Sequence, residues 1–402
     1  MSSDAGYRRP ATLCSFAKQL GARLPDICAA VSEICTEIPI VGERLQPIAD
    51  VTAMSAWASR QAPDLLRAAA GVRPWPRRRG SRAESPVGSR DVYEGSLRGV
   101  VADSGSAHWP QPQRWPPLLQ MAEQRRRFLY RSAVSYGDAE AQLLDVWRLP
   151  ELPATPAPVM IFVPGGAWLH GSRKHQGHAL MAHLAAQGWV CLAIDYRVSP
   201  RHRWPRHVMD VKAAVAWARA HADQFGGDRQ FVAIAGASAG GHLAALTALT
   251  PGDPHFDAGL TGRADTRVDA AVSLYGRYDW EDRSTPERER FVGFVEHLIV
   301  KQSYRRHRDL YRAASPIARI NNQAPPFFVV HGAADTIIPV TQARAFAERL
   351  RTHSHAPVAY LEVPGAHHAF DLIDGARTGS VCTAIGLFLN EMHRRRTATL
   401  AV

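Results

Sequence analysis

A chain of 402 residues, 46% of them hydrophobic, can bury a sizeable core and is too apolar for a disordered polymer. Its net charge of +11 would suit an anionic partner, but no recognition motif or aromatic interleaving accompanies the basic residues, which excludes a nucleic-acid-binding module. No apolar run is long enough to span a membrane, and Asp4 stands where a signal peptide is basic, so the chain reads as cytoplasmic or peripherally attached to the membrane or cell envelope.

Residues 1–70 carry helical periodicity. Leu13, Phe16, Ala17 and Leu20 recur at helical spacing, as do Ile27, Val31, Ile34 and Ile38, with Pro25 and Pro39 as punctuation. This predicts a helical N-terminal extension that either packs as part of a cap or docks on a membrane. The following 71–127 reads as a basic linker and lead-in rich in Pro, Gly and Ser. Its first part holds Arg73, Arg77, Arg78, Arg79, Arg82 and Arg90 against Glu84 alone, which would favour contact with anionic lipid. The cysteines Cys14, Cys28, Cys35, Cys191 and Cys382 are odd in number and lack paired metal spacing, so reduced structural thiols are expected. A Cys28–Cys35 bridge would join side chains about 10 Å apart along a helix and would require unwinding.

A catalytic unit is expected over 128–402. Two strand-like runs, 130–136 and 142–149, flank the turn Gly137-Asp138 as an antiparallel pair. Further strands are expected near 159–163, 189–194, 231–235, 269–274, 327–330 and 358–363, with helices between them. Such alternation implies a mostly parallel sheet with helices on both faces, the α/β class. The run 159–163 opens into the small-residue loop Pro164-Gly165-Gly166-Ala167-Trp168. His170, His175, His178 and His183 follow without a carboxylate at ligand spacing, so no metal is expected, and no residue pattern calls for a cofactor. Trp217, with Val211 and Val215, reads as core.

The run 231–235 leads into Gly236-Ala237-Ser238-Ala239-Gly240, and an apolar helical stretch follows. Strand, sharp turn and helix with a serine at the apex form a nucleophile elbow, whose strained backbone presents the hydroxyl to substrate. The helix start aims unpaired N–H groups at the place where an oxyanion forms. Gly165, Gly166 and Ala167 offer further N–H groups beside that of Ala239.

Serine needs a base and the base an orienting carboxylate, following in the order serine, acid, histidine. Asp335 lies in the loop after the 327–330 strand. His367 and His368 lie beyond the 358–363 strand, and only one of them can face Ser238; the spacing of His368 to Phe370 favours His368. Asp371 and Asp374 rival Asp335 but stand close to the histidine loop, where they suit capping. Between the strands near 269–274 and 327–330, a charged excursion over about 281–315 carries Phe291, Phe294, Val295, Leu298 and Ile299 and is expected to be a helical cap that shapes an acyl pocket.

These motifs together resemble the hormone-sensitive-lipase branch of the α/β-hydrolases, and more narrowly the mycobacterial Lip carboxylesterases. Pro164-Gly165-Gly166-Ala167-Trp168 matches the H-G-G-G-[FW] motif in three of five places, with Pro164 for histidine and Ala167 for the third glycine. Asp195-Tyr196-Arg197-Val198-Ser199-Pro200 matches D-Y-R-L-A-P, and the likeness runs over about 130–393. It implies a serine esterase or lipase acting on small-molecule or lipid carboxylic esters of short to medium acyl length. The same machinery on amides, formamides or thioesters, or a lipid-binding or scaffolding protein without turnover, are the alternative expectations.

Overall fold

The computed structural model describes residues 90–400 except 103, 106, 152–154 and 261–263. The expectations for the N-terminal extension, for residues 71–89 and for Cys14, Cys28 and Cys35 lie outside the described residues.

Eight strands form one sheet: β1 (Leu129–Ser135), β2 (Leu143–Trp147), β3 (Ala157–Val163), β4 (Val190–Ile194), β5 (Gly227–Ala237), β6 (Ala270–Leu274), β7 (Phe327–Gly332) and β8 (Val358–Val363). Their order is β1-β2-β4-β3-β5-β6-β7-β8. β2 pairs antiparallel with both β1 and β4, and all later neighbours are parallel. Parallel strands are buried on both faces, which is why β3, β4, β6, β7 and the 231–237 part of β5 read as apolar runs rather than alternating ones.

The side-chain period of two still sorts those runs. In β3, Val159, Ile161 and Val163 point into one core with the helices Arg206–His221, Ala239–Leu249 and Val340–His353. Met160 and Phe162 point into the other, with the helices His178–Ala186 and Gly375–Leu400. Trp217 packs part-buried against the first core, while Cys191 and Cys382 are free thiols buried in the second.

The expected linker ends earlier than 127. From Arg90 the chain belongs to the body: the helix Arg90–Leu97 buries Tyr93 and Leu97 in the second core, and the helix Met121–Phe128 leads straight into β1. The proline- and arginine-rich composition hides this, because only a few positions per turn are apolar. Over 281–315 lie the helix Pro286–Phe294, a π-helical segment Val295–Val300 and the helix Arg308–Ala313. Val292, Phe294 and Ile299 of this excursion are buried in the first core.

Candidate active site

Ser238 stands at the junction of β5 and the helix Ala239–Leu249, with φ 56° and ψ −119°. L-residues rarely occupy that conformation, so the surroundings must hold it. The Ser238 N–H donates to the Leu274 carbonyl at 2.9 Å, and the Ser238 carbonyl accepts from the His242 N–H at 3.0 Å. The flanking glycines are dictated by contact: a Cβ on Gly236 would meet the Gly240 carbonyl oxygen at 2.2 Å, and one on Gly240 would meet that of Val163 at 2.0 Å. The helix is buried at every position, which fits its run of Ala, Gly and Leu.

His368 Nε2 lies 2.9 Å from Ser238 Oγ, and His368 Nδ1 lies 2.7 Å from Asp335 Oδ2. The other carboxylate oxygen of Asp335 accepts the N–H groups of Ile337 and Ile338, each at 2.9 Å. His331 Nε2 is 3.3 Å from Asp335 Oδ2 and 2.8 Å from the Ile338 carbonyl. Burial works to raise the Asp335 pKa, but hydrogen bonds from His331 and His368 outweigh it and hold the carboxyl well below the usual range. An ionised Asp335 only accepts, so Nδ1 of His368 carries the proton and Nε2 is left to accept from the serine hydroxyl.

His367 is exposed at the loop surface, whereas His368 points inward. Neither rival carboxylate hydrogen-bonds the imidazole. Asp371 accepts the Tyr275 hydroxyl, and Asp374 accepts Arg377 Nη1 at 2.5 Å. Tyr275 leaves β6 with φ 39° and sets its ring edge-on to the His368 ring, 4.7 Å between centroids. Burial, and then the charge of Asp371, push its phenol well above the ordinary range, so it stays a neutral donor.

Of the expected oxyanion donors, the N–H groups of Gly166, Ala167 and Ala239 have no hydrogen-bond acceptor among the described residues. Ala239 is the first residue of its helix, so its N–H has no intrahelical acceptor. Gly165 departs from the expectation, because its N–H donates to Gln176 Oε1 at 2.6 Å. Its small size serves close approach instead, since a Cβ there would lie 2.6 Å from the Ala237 carbonyl oxygen. Gly166 adopts φ 132°, and Ala167 and Trp168 follow at 52° and 58°, a left-handed run that turns the loop over the nucleophile.

Several side chains fix that loop. The Tyr196 hydroxyl donates to the Pro164 carbonyl at 2.9 Å. Trp168 Nε1 donates to His242 Nδ1 at 3.2 Å, and His242 Nε2 is 2.8 Å from the Ala314 carbonyl. Burial lowers the pKa of His242 to about 3, so it remains neutral and Nδ1 remains an acceptor. Trp280 packs on Trp168 at 5.1 Å between centroids. In the D-Y-R segment, Asp195 pairs with Arg173 and Arg197 with Asp210, which ties the segment into the body. Gln176, His331, Tyr275 and His242 were not legible as site residues; their roles depend on where distant segments meet.

The histidines following the loop have other surroundings. His178 packs its ring 5.0 Å from Trp147, and His183 Nε2 lies 2.8 Å from Gln187 Nε2. A cavity of about 860 Å³ lined by Trp204, Met209, Val300 and Leu310 does not include the Ser238, His368 and Asp335 side chains.

An eight-stranded, mostly parallel sheet with a strained serine between β5 and its helix, and a histidine–carboxylate pair beyond β7 and β8, defines an α/β-hydrolase. A BD-FAE family model matches residues 144–350. The chain belongs to this family and to the hormone-sensitive-lipase-like carboxylic ester hydrolases. It is 54% identical to esterase LipC of Mycobacterium tuberculosis over 94% of each chain. It is 45% identical to the probable carboxylic ester hydrolase LipM of the same organism, over 74% of this chain and 68% of that one. Among solved structures, a truncated carbohydrate esterase from gut microbiota superposes with a TM-score of 0.57 at 25% identity, covering 66% of this chain and 98% of the other. Esterase 2 of Thermogutta terrifontis, in its apo form, gives 0.52 at 27% identity over 64% and 91%.

Proposed function

We propose that this enzyme hydrolyses carboxylic esters of short to medium acyl chain through Ser238, His368 and Asp335. The observation that carries the reading is the unbroken relay from Ser238 Oγ to His368 Nε2 at 2.9 Å and from His368 Nδ1 to Asp335 Oδ2 at 2.7 Å. Ser238 Oγ attacks the ester carbonyl as its proton passes to His368 Nε2. Asp335 holds the imidazole tautomer and stabilises the imidazolium. The N–H groups of Gly166, Ala167 and Ala239 receive the negative charge that develops on the carbonyl oxygen. The tetrahedral intermediate collapses as His368 returns the proton to the leaving alcohol. Water, deprotonated by His368, then attacks the acyl-enzyme, and a second collapse frees the acid and restores Ser238.

The proposed acyl length follows the likeness to the Lip carboxylesterases; next to the oxyanion loop, Trp168 belongs to a buried aromatic cluster. Phe291 lies 6.0 Å from Trp168 and 6.2 Å from Trp280 between ring centroids, and Arg277 holds the Phe291 ring with its guanidinium carbon 3.7 Å from the centroid.

The test is intact-mass spectrometry after incubation with a p-nitrophenyl phosphonate, beside Ser238→Ala, with turnover of p-nitrophenyl esters from acetate to palmitate. A single adduct lost in Ser238→Ala, with rates falling beyond medium chains, is the expected result. No adduct and no turnover would overturn the proposal in favour of a protein that binds lipid without hydrolysing it, and preferential turnover of amide or thioester analogues would reassign the substrate.

A further inference from the structure

The exposed large apolar side chains of the described residues are Trp115, Leu118, Leu119, Tyr130 and Leu149, and the first three belong to one short loop. Trp115 is 62% exposed, Leu119 61% and Leu118 40%. Isolated exposed leucines are ordinary, but a tryptophan and two leucines crowded on one turn are not. The loop is closed at its base, where Gln120 Nε2 donates to Gln113 Oε1 at 2.7 Å. Within it, Pro116 and Pro117 are buried against the body and the Leu119 N–H donates to the Pro116 carbonyl at 3.1 Å. The backbone is therefore anchored while the apolar side chains project, and little further ordering would be needed for the tip to engage a surface.

Charge surrounds the tip. Arg114 lies in the same loop, and Arg126 and Arg127 lie on the helix Met121–Phe128 that follows directly; all three are exposed and none has an ion-pair partner among the described residues. Arg125 is engaged with Asp145, and the exposed Glu123 is the acidic residue of that helix. A protruding apolar tip with an unpaired arginine rim complements a bilayer whose surface is anionic and whose interior is apolar.

The loop also stands beside the candidate active site. The Gln113 N–H donates to the Gly375 carbonyl at 3.1 Å, and the 3₁₀ turn Pro117–Gln120 packs against the short helix Phe370–Ile373, which begins two residues after His368. We infer that the Trp115-Leu118-Leu119 tip docks the enzyme on an anionic lipid surface, setting the histidine loop toward esters held in or released from that surface. The orientation rests on the proposed role of His368; the docking itself does not.

The experiment uses the full chain carrying Ser238→Ala, so that binding is read without turnover, and measures co-sedimentation with phosphatidylcholine vesicles with and without phosphatidylglycerol. The parent is expected to partition to the anionic vesicles, and the combined Trp115→Ser, Leu118→Ser and Leu119→Ser substitutions to lower that partition by about tenfold or more. With Ser238 restored, the tip variant should hydrolyse water-soluble p-nitrophenyl acetate at the parental rate while losing activity on a vesicle-embedded ester. Equal sedimentation of parent and tip variant, absence of parental binding, or equal parental binding to both vesicle types would overturn the inference. So would a lipid-free dimer that the tip substitutions dissolve, because the tip would then be an interface between two copies.

Discussion

His331 reaches the Asp335 oxygen already occupied by His368: its Nε2 is 3.3 Å from Oδ2, which takes the His368 Nδ1 bond at 2.7 Å. The carboxylate is thus held from both sides by imidazoles, with the Ile337 and Ile338 N–H groups on its other oxygen. His331 is buried at the end of β7 and is a positioning residue, since it touches neither Ser238 nor the oxyanion loop. A hydrogen bond to a charged group is worth about 1.5–3 kcal/mol, and because His331 shares its Nε2 proton between Asp335 and the Ile338 carbonyl, the lower end applies. His331→Leu should therefore lower kcat about tenfold or more with little change in KM, and His331→Gln, which keeps a donor, should recover part of the loss. If both variants lowered kcat alike, the donor would not matter and packing alone would explain the effect.

Gln176 sets the first residue of the oxyanion loop through the 2.6 Å bond from Gly165 N–H to Oε1. Gln176→Ala leaves that N–H without its acceptor two residues before Ala167 and Trp168, two consecutive non-glycine residues at positive φ. The loop should relax, and its donors at Gly166 and Ala167 should drift from the oxyanion position. Removal of one oxyanion donor costs about 100-fold in kcat, so partial misplacement should cost about tenfold. The rate of phosphonate labelling at Ser238 should fall in parallel. Unchanged labelling and kcat would show that the left-handed run holds itself.

Tyr275 should act on His368 mainly through its ring. Tyr275→Phe keeps the edge-on contact at 4.7 Å but removes the donor to Asp371, a carboxyl that burial raises above its ordinary pKa. A modest loss of activity, about threefold to tenfold, is expected, with a larger one for Tyr275→Leu. Comparable losses in both variants would assign the effect to the hydroxyl.

The triad residues were legible because each lies where a strand ends: a run of apolar residues followed by a small-residue turn marks β5, β7 and β8 in the sequence as clearly as in the fold. The choice of His368 rested on spacing to Phe370, and the fold buries Phe370 while leaving His367 at the surface. Gln176 was not legible, because its neighbours show no periodicity that would send one amide back to Gly165. The Gly165 N–H turns to Gln176 rather than to the oxyanion because a motif reveals which residues are small and not where their N–H groups point. The segment 90–127 carries the Pro, Gly, Ser and Arg content of a lead-in, yet its Tyr93 and Leu97 reach the core.

Three neutral histidines should make the enzyme acid-labile. Burial lowers the pKa of His178 to about 4, of His207 to about 4 and of His242 to about 3. In the unfolded chain each takes up its proton near pH 6.5, while the native state does not. Above about pH 6.5 both states are neutral and this stability is fully present. As pH falls toward 4 the unfolded state binds the extra protons, and stability declines by at most about 1.4 kcal/mol per pH unit for each histidine. Asp335, held well below the carboxylate range, adds to the loss only below about pH 5, whereas the raised carboxyls of Asp371 and Glu281 offset part of the loss near the acid end. Urea denaturation at pH 7.5, 6 and 5 should show the unfolding free energy falling by several kcal/mol, and His242→Asn should flatten that slope even where it lowers stability at pH 7.5. A free energy independent of pH from 7.5 to 5 would mean that the three imidazoles are hydrated in the native state rather than held dry.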